Sequence, residues 1–141
     1  MLAEIVEICT IALKNFTDLL EGKTILIADD NKLNQRIVAF VLQKSGAEVK
    51  TAGNGSEVID FLKANKCDAV LLDLQMPEMD GPEAAKYIRQ NMKLDIPLIG
   101  LTANTLFGDA ERCLEAGMND CVAKPFDDDK LCALIAKYIN K

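Results

Sequence analysis

The chain is 141 residues long, half of them apolar and 27% charged, the balance of one folded domain that buries roughly two thirds of its surface, not of a disordered or collagen-like chain. Its 16 Lys and Arg against 22 Asp and Glu leave a net charge of −6, which repels polyanions and argues against nucleic acid as a partner. No histidine is present, which excludes a Ser-His-Asp triad, a Cys-His dyad, a His-containing zinc site and an internal phosphohistidine.

Leu2, Ile5, Cys9, Ala12, Phe16 and Leu19 recur at helical spacing, with Glu4, Glu7, Lys14 and Asp18 on other faces. They predict an amphipathic helix within residues 1–22, a linker or self-association segment that ends at Gly22. Packing on its own domain and pairing in a neighbour's groove both remain open, because the seam is short for an independent coiled coil.

Residues 23–141 form the second unit, in which strands alternate with helices. Ile25–Ala28, Ala69–Leu72, Leu98–Leu101 and Cys121–Ala123 are unbroken apolar runs, as suits strands buried on both faces of a parallel sheet. Ala47, Val49 and Thr51 alternate with Glu48 and Lys50, which predicts a wetter strand at an edge, its end at Ala52-Gly53 contributing nothing to a site. Leu33, Ile37, Phe40 and Val41 share one helical face, closed by Gly46, and Leu131, Leu134, Ile135 and Tyr138 share another, with Asp127 as its cap. Gly81-Pro82 places proline in a helix's first turn, where its missing N–H is not needed. Five strands alternating with five helices predict an α/β fold with right-handed crossovers and helices on both faces of the sheet.

Cys9, Cys67, Cys113, Cys121 and Cys132 include no C-x-x-C pair and sit mostly among apolar neighbours, which reads as reduced, buried thiols in a cytoplasmic setting. No stretch approaches the ~20 apolar residues of a membrane span, and Glu4 and Glu7 stand where a secretory signal needs positive charge. No direct membrane contact is expected. Gly53-Asn54-Gly55 lacks the third glycine of a nucleotide loop and reads as a tight turn. Met76, Met79 and Met92 read as loop and core filler.

The chemistry follows the strands. Asp29 and Asp30 come after the first, Asp73 ends the third, Thr102 follows the fourth and Lys124 the fifth. Sites in open α/β sheets form outside the carboxyl ends of the strands. Three carboxylates about 5 Å apart repel by roughly 3 kcal/mol per pair, so the pattern asks for a hard divalent cation, Mg²⁺ or Mn²⁺, with Lys124 as a fixed charge. Any one of these acids alone would be a helix cap; all of them at the ends of separate strands argue for a site.

Ile25 to Asn31, Leu72 to Gly81, Leu101-Thr102-Ala103-Asn104 and Ala123-Lys124-Pro125-Phe126 closely resemble the receiver domain of two-component response regulators, over residues 23 to 140. Asn34 with Gly117-Met118-Asn119-Asp120 is similar to receivers of hybrid histidine kinases. The resemblance implies a flavodoxin-like (βα)5 three-layer sandwich with parallel sheet order 2-1-3-4-5. It also implies that Asp73 is the phosphoacceptor, that Asp30, Asp29 and the Gln75 carbonyl hold Mg²⁺ beside it, and that Thr102 and Lys124 contact phosphoryl oxygens. An ionised aspartate is a nucleophile without a general base, which suits a chain lacking histidine.

Such a domain would take its phosphoryl group from a histidine kinase or histidine phosphotransfer protein, switch, and slowly dephosphorylate itself, without turning over a substrate. Its small Ala103 would leave the phosphoryl group accessible, and Lys124-Pro125 resembles the family's cis peptide. Cys121 departs from the pattern, because the family usually carries an aromatic ring there that rotates on phosphorylation. Self-association through the leading helix, or through the last strand and last two helices, is an alternative for the partner face. Two other readings compete with this one. A phosphatase of the haloacid-dehalogenase type would want an acid where Gln75 stands, and an unphosphorylated interaction module would not need the acidic set.

Overall fold

The computed structural model describes residues 19–102, 108–124 and 128–139. Among them five strands, β1 (Thr24–Ala28), β2 (Glu48–Ala52), β3 (Ala69–Asp73), β4 (Leu98–Thr102) and β5 (Asp120–Ala123), alternate with five helices. The helices are α1 (Lys32–Lys44), α2 (Gly55–Ala64), α3 (Gly81–Gln90), α4 (Asp109–Glu115) and α5 (Asp128–Ile139). All strand pairs are parallel, in the order β2-β1-β3-β4-β5. Because β3 pairs with β1 on the side away from β2, the winding reverses between β1 and β3, and the ends of those two strands flank a crevice.

The apolar strands serve two cores at once. Leu26, Ala28, Val70, Leu72 and Leu98 face α2, α3 and α4 through Val58, Ile59, Leu62, Ala84, Ile88 and Cys113. Ile25, Ile27, Leu71, Ile99 and Leu101 face α1 and α5 through Val38, Val41, Leu42, Leu131 and Ile135. Strand side chains alternate between faces, so an unbroken apolar run is what a doubly covered strand requires. The result is the three-layer sandwich in the order that the resemblance implied.

Caps mark the helix starts. Asn31 accepts hydrogen bonds from the Leu33 and Asn34 amides, Asn54 from Glu57 and Asp80 from Glu83, with Pro82 in the first turn of α3. Gly53-Asn54-Gly55 is thus a helix start, with the Glu57 carboxylate accepting from the Gly53 amide at 2.5 Å. Gly46 closes α1 at φ +93°, and a Cβ there would lie 2.9 Å from the Glu21 Cα.

Two expectations are corrected. On α1, Leu33, Ile37 and Phe40 are 64%, 51% and 63% exposed, while Val38, Val41 and Leu42 are buried; the core takes the neighbouring face of the helix and leaves an apolar stripe outside. Last in the sheet order, β5 is a second margin and only half-buried along its length. Among the described cysteines Cys113 and Cys132 are buried, whereas Cys67 and Cys121 are only half-buried. Burial pushes the Cys67 thiol up to about 11. The predicted leading helix up to residue 18 and the Asp127 cap lie outside the described residues. No helix among the described residues is long and apolar enough to cross a membrane.

Gly81 lets α3 start against the end of β3, since a Cβ there would lie 2.5 Å from the Asp73 carbonyl oxygen, a backbone atom that cannot swing aside. Gly81→Ala is expected to cost about 1–3 kcal/mol in urea denaturation. An unchanged midpoint would show that the close approach is not needed.

Candidate functional site

At the end of β1 the Asp29 amide donates to the Ala52 carbonyl at 3.0 Å, which carries the ladder one residue past the strand. The Asp29 side chain is 1% exposed and its Oδ1 accepts from the Asn31 amide at 2.9 Å. Gln35, one turn into α1, donates through Nε2 to the carbonyls of Asp29 (2.6 Å) and Ala52 (3.1 Å). The end of β2 therefore does contribute, through a carbonyl that fixes the chain beside Asp29. Capping of α1 falls to Asn31, which leaves the neighbouring, exposed Asp30 free of that task.

Asp73 ends β3, and its Oδ1 accepts from the Gln75 amide at 3.2 Å. One carboxylate oxygen each from Asp29, Asp30 and Asp73 lies within 4.8 Å of the others. Lys124 reaches in from the end of β5, its Nζ at 3.4 Å from Asp29 Oδ2 and 3.5 Å from Asp73 Oδ2. The Lys124 amide donates to the Thr102 carbonyl at 2.7 Å, so the ammonium is anchored to the end of β4. Thr102 is 2% exposed. Burial pushes the Asp73 carboxyl above its ordinary value; the Gln75 amide and Lys124 pull it back, and Asp29 pushes with burial.

Asp30, Asp73, Thr102 and Lys124 line a cleft of about 930 Å³ together with Gln75, Met76, Asp80, Asp109 and Arg112. The five side chains named from the sequence thus share one place, and Gln75 stands at its rim. Gln35, Asp109 and Arg112 were not singled out. Thr102 Oγ1 donates to Asp109 Oδ2, and Arg112 Nη1 is 3.7 Å from Asp109 Oδ1. Nothing local flags an acid seven residues past the threonine, because the pairing depends on how the intervening chain returns. Cys121, in the position where the family carries a ring, is half-buried on β5 opposite Gly100. Ala103 and the Lys124-Pro125 peptide involve residues outside the described ones.

The donor set suits a hard divalent cation: three carboxylates and one ammonium sum to a charge of −2, the ligand atoms are all oxygens, and the cleft is open to water.

Comparison with known proteins agrees with this geometry. The sequence model of the response regulator receiver domain matches residues 25–136. The sensor histidine kinase RcsC of Salmonella typhi is 40% identical over 117 residues, 83% of this chain and 12% of that kinase. The hybrid signal transduction histidine kinase K of Dictyostelium discoideum is 41% identical over 124 residues, 82% of this chain and 10% of that protein. Among solved structures, the receiver domain of a Pseudomonas aeruginosa sensor histidine kinase, with a magnesium ion coordinated in its active-site cleft, superposes with a TM-score of 0.78 at 37% identity. That match covers 85% of this chain and 99% of the other. The beryllofluoride-activated DrrB receiver domain gives a TM-score of 0.74 at 27% identity, over 84% of this chain and 98% of the other.

The apposed acids make the site a stability liability. A carboxyl whose pKa is higher folded than unfolded costs nothing below its unfolded value of 3.8 and its full penalty above its folded value, so Asp73 destabilises the chain at neutral pH. Asp73→Asn in chelator should raise Tm by about 3–5 °C at pH 7, with the gain vanishing toward pH 3. A Tm that falls, or a gain independent of pH, would show that neither burial nor repulsion of the Asp73 charge governs the site.

Proposed function

The chain belongs to the response regulator receiver domain family, and from that premise we propose that it is a phosphoacceptor of a two-component phosphorelay, receiving a phosphoryl group from phosphohistidine onto Asp73. The observation that carries this reading is the convergence of Asp29, Asp30, Asp73 and Lys124 within hydrogen-bonding or ligand distance at the point where the sheet's winding reverses. It spans about an eighth of the histidine kinases it resembles, so donor and output are read from the site's chemistry.

An Asp73 carboxylate oxygen attacks phosphorus in line, the O–P bond forms as the P–N bond breaks, and the electron pair returns to the imidazole nitrogen. Burial of Asp73 strips water from that oxygen and raises its pKa, and the Lys124 ammonium offsets part of that rise. Negative charge spreads over three equatorial oxygens in the transition state, where the Lys124 ammonium and the Thr102 hydroxyl each meet one. Asp29, Asp30 and Asp73, with the Gln75 carbonyl, would hold Mg²⁺ or Mn²⁺, which supplies charge neutralisation at a phosphoryl oxygen. Hydrolysis of the acyl phosphate resets the site.

The phosphohistidine lies outside these 141 residues, because they contain no histidine. Helix α1 opens immediately past Asp30, and its exposed Leu33, Ile37 and Phe40 offer an apolar surface beside the cleft to a histidine kinase or phosphotransfer protein. Self-association through the leading segment or through α4, β5 and α5 rests on no comparable observation.

With Mg²⁺ and acetyl phosphate the protein should gain the mass of one phosphoryl group. Asp73→Asn should abolish the gain, and Lys124→Ala should slow it by about 10–100-fold. An unchanged mass in folded wild-type protein would reject the reading. Leu33→Glu should slow transfer from a phosphohistidine-loaded phosphotransfer protein while leaving acetyl phosphate uptake alone; equal loss with both donors would remove α1 from the docking surface.

A further inference from the structure

We propose that Asp109 is a latch on Thr102: it holds the threonine hydroxyl until a phosphoryl group on Asp73 competes for it, and losing that bond releases the start of α4. The proposal rests on the phosphoacceptor reading of Asp73 and assigns the positioning residue that would couple that site to a surface.

A threonine hydroxyl has one hydrogen to donate. In this structure it goes to Asp109 Oδ2, while Asp109 Oδ1 faces Arg112 Nη1 at 3.7 Å. Thr102, Asp109 and Arg112 line the same cleft as Asp73 and Lys124, so a phosphoryl oxygen on Asp73 and the Asp109 carboxylate compete for one proton donor across a short space. The phosphoryl group carries more charge and is itself held by Lys124. It also repels the Asp109 carboxylate, which pushes the two sides of the old bond apart. Arg112, one turn along the same helix, keeps Asp109 partnered after Thr102 leaves.

Helix α4 is suited to respond. It is seven residues long, buries Cys113 among its own residues, and begins at Gly108, which makes no side-chain cap hydrogen bond. Asp109 is its first residue, so the bond to Thr102 ties its first turn to the end of β4. Without that tie the anchorage of the segment is slight, and short elements with few buried contacts are the ones that shift locally. Cys121 has no ring to rotate, and the latch does not need one: the signal passes from phosphoryl oxygen to hydroxyl to the first turn of α4.

The test uses the whole chain with Mg²⁺, titrating beryllofluoride and following backbone amide resonances. Asp109→Ala should bind beryllofluoride about tenfold more tightly than wild type, since the Asp109 carboxylate no longer competes for the hydroxyl. Its free-state resonances for residues 108–116 should lie displaced along the line joining wild-type free and bound positions. Asp109→Asn keeps an oxygen that accepts from Thr102, so its free-state resonances should stay at the wild-type positions. Equal or weaker binding by Asp109→Ala, resonances that leave that line, or Asp109→Asn matching Asp109→Ala would each overturn the latch. Wild-type protein that takes no beryllofluoride at all would instead overturn the phosphoacceptor reading, and the latch with it.

Discussion

Three carboxylates stand within 4.8 Å of one another at the carboxyl edge of the sheet, with a single ammonium between two of them. At an effective dielectric near 20, each pair repels by roughly 3 kcal/mol, a large share of what a domain of this size has to spare. Chain folding alone does not produce such a cluster. It stands because the strands that carry it are locked on both faces by apolar packing, so the acids cannot separate without unpairing β1 from β3. The excess charge of −2 suits a small divalent cation and, beside it, the oxygens of a phosphoryl group.

The scaffold around the cluster keeps other hydrogen bonds from consuming it. Asn31 takes the helix-capping task, so Asp30 is not drawn into α1. Gln35 satisfies two carbonyls at the ends of β1 and β2, which fixes the backbone of Asp29 without touching its carboxylate. Gly81 lets α3 begin directly under Asp73, while the Asn54 and Asp80 side chains are engaged as caps by the Glu57 and Glu83 amides. On the far side of the sheet, Arg89 ties the Gly117 and Leu94 carbonyls and the Asn119 side chain together, and Asn119 accepts from the Leu98 amide, so the start of β4 is rigid.

That rigidity is unevenly distributed. The acids rest on β1 and β3, inside the sheet, whereas Lys124 rests on β5, a half-buried margin, and Thr102 faces a helix of seven residues. A change of charge at Asp73 is therefore opposed by a fixed floor on one side and met by a lightly anchored wall on the other. A response to that change would start on the weaker side. This asymmetry is a consequence of strand order: the last strand wound onto the sheet has neighbours on one side only.

The strands, the two-sided covering of the sheet, the helix start at Gly81-Pro82, the close of α1 at Gly46, and the identities of Asp29, Asp30, Asp73, Thr102 and Lys124 were all legible in the sequence. Each is announced by residue type and spacing within a short stretch of chain, and local sterics and hydrogen bonding act at that range. What the sequence left open depends on packing partners far along the chain. The apolar face of α1 reads as Leu33, Ile37, Phe40 and Val41 in the sequence, yet of these only Val41 is buried, beside Val38 and Leu42, because only the position of α5 and the sheet decides which side of an apolar-rich helix meets the core. Gln35 bridging to Ala52 and Asp109 receiving the Thr102 hydroxyl were invisible for the same reason: neither geometry exists until strands and loops distant in sequence are brought to one edge.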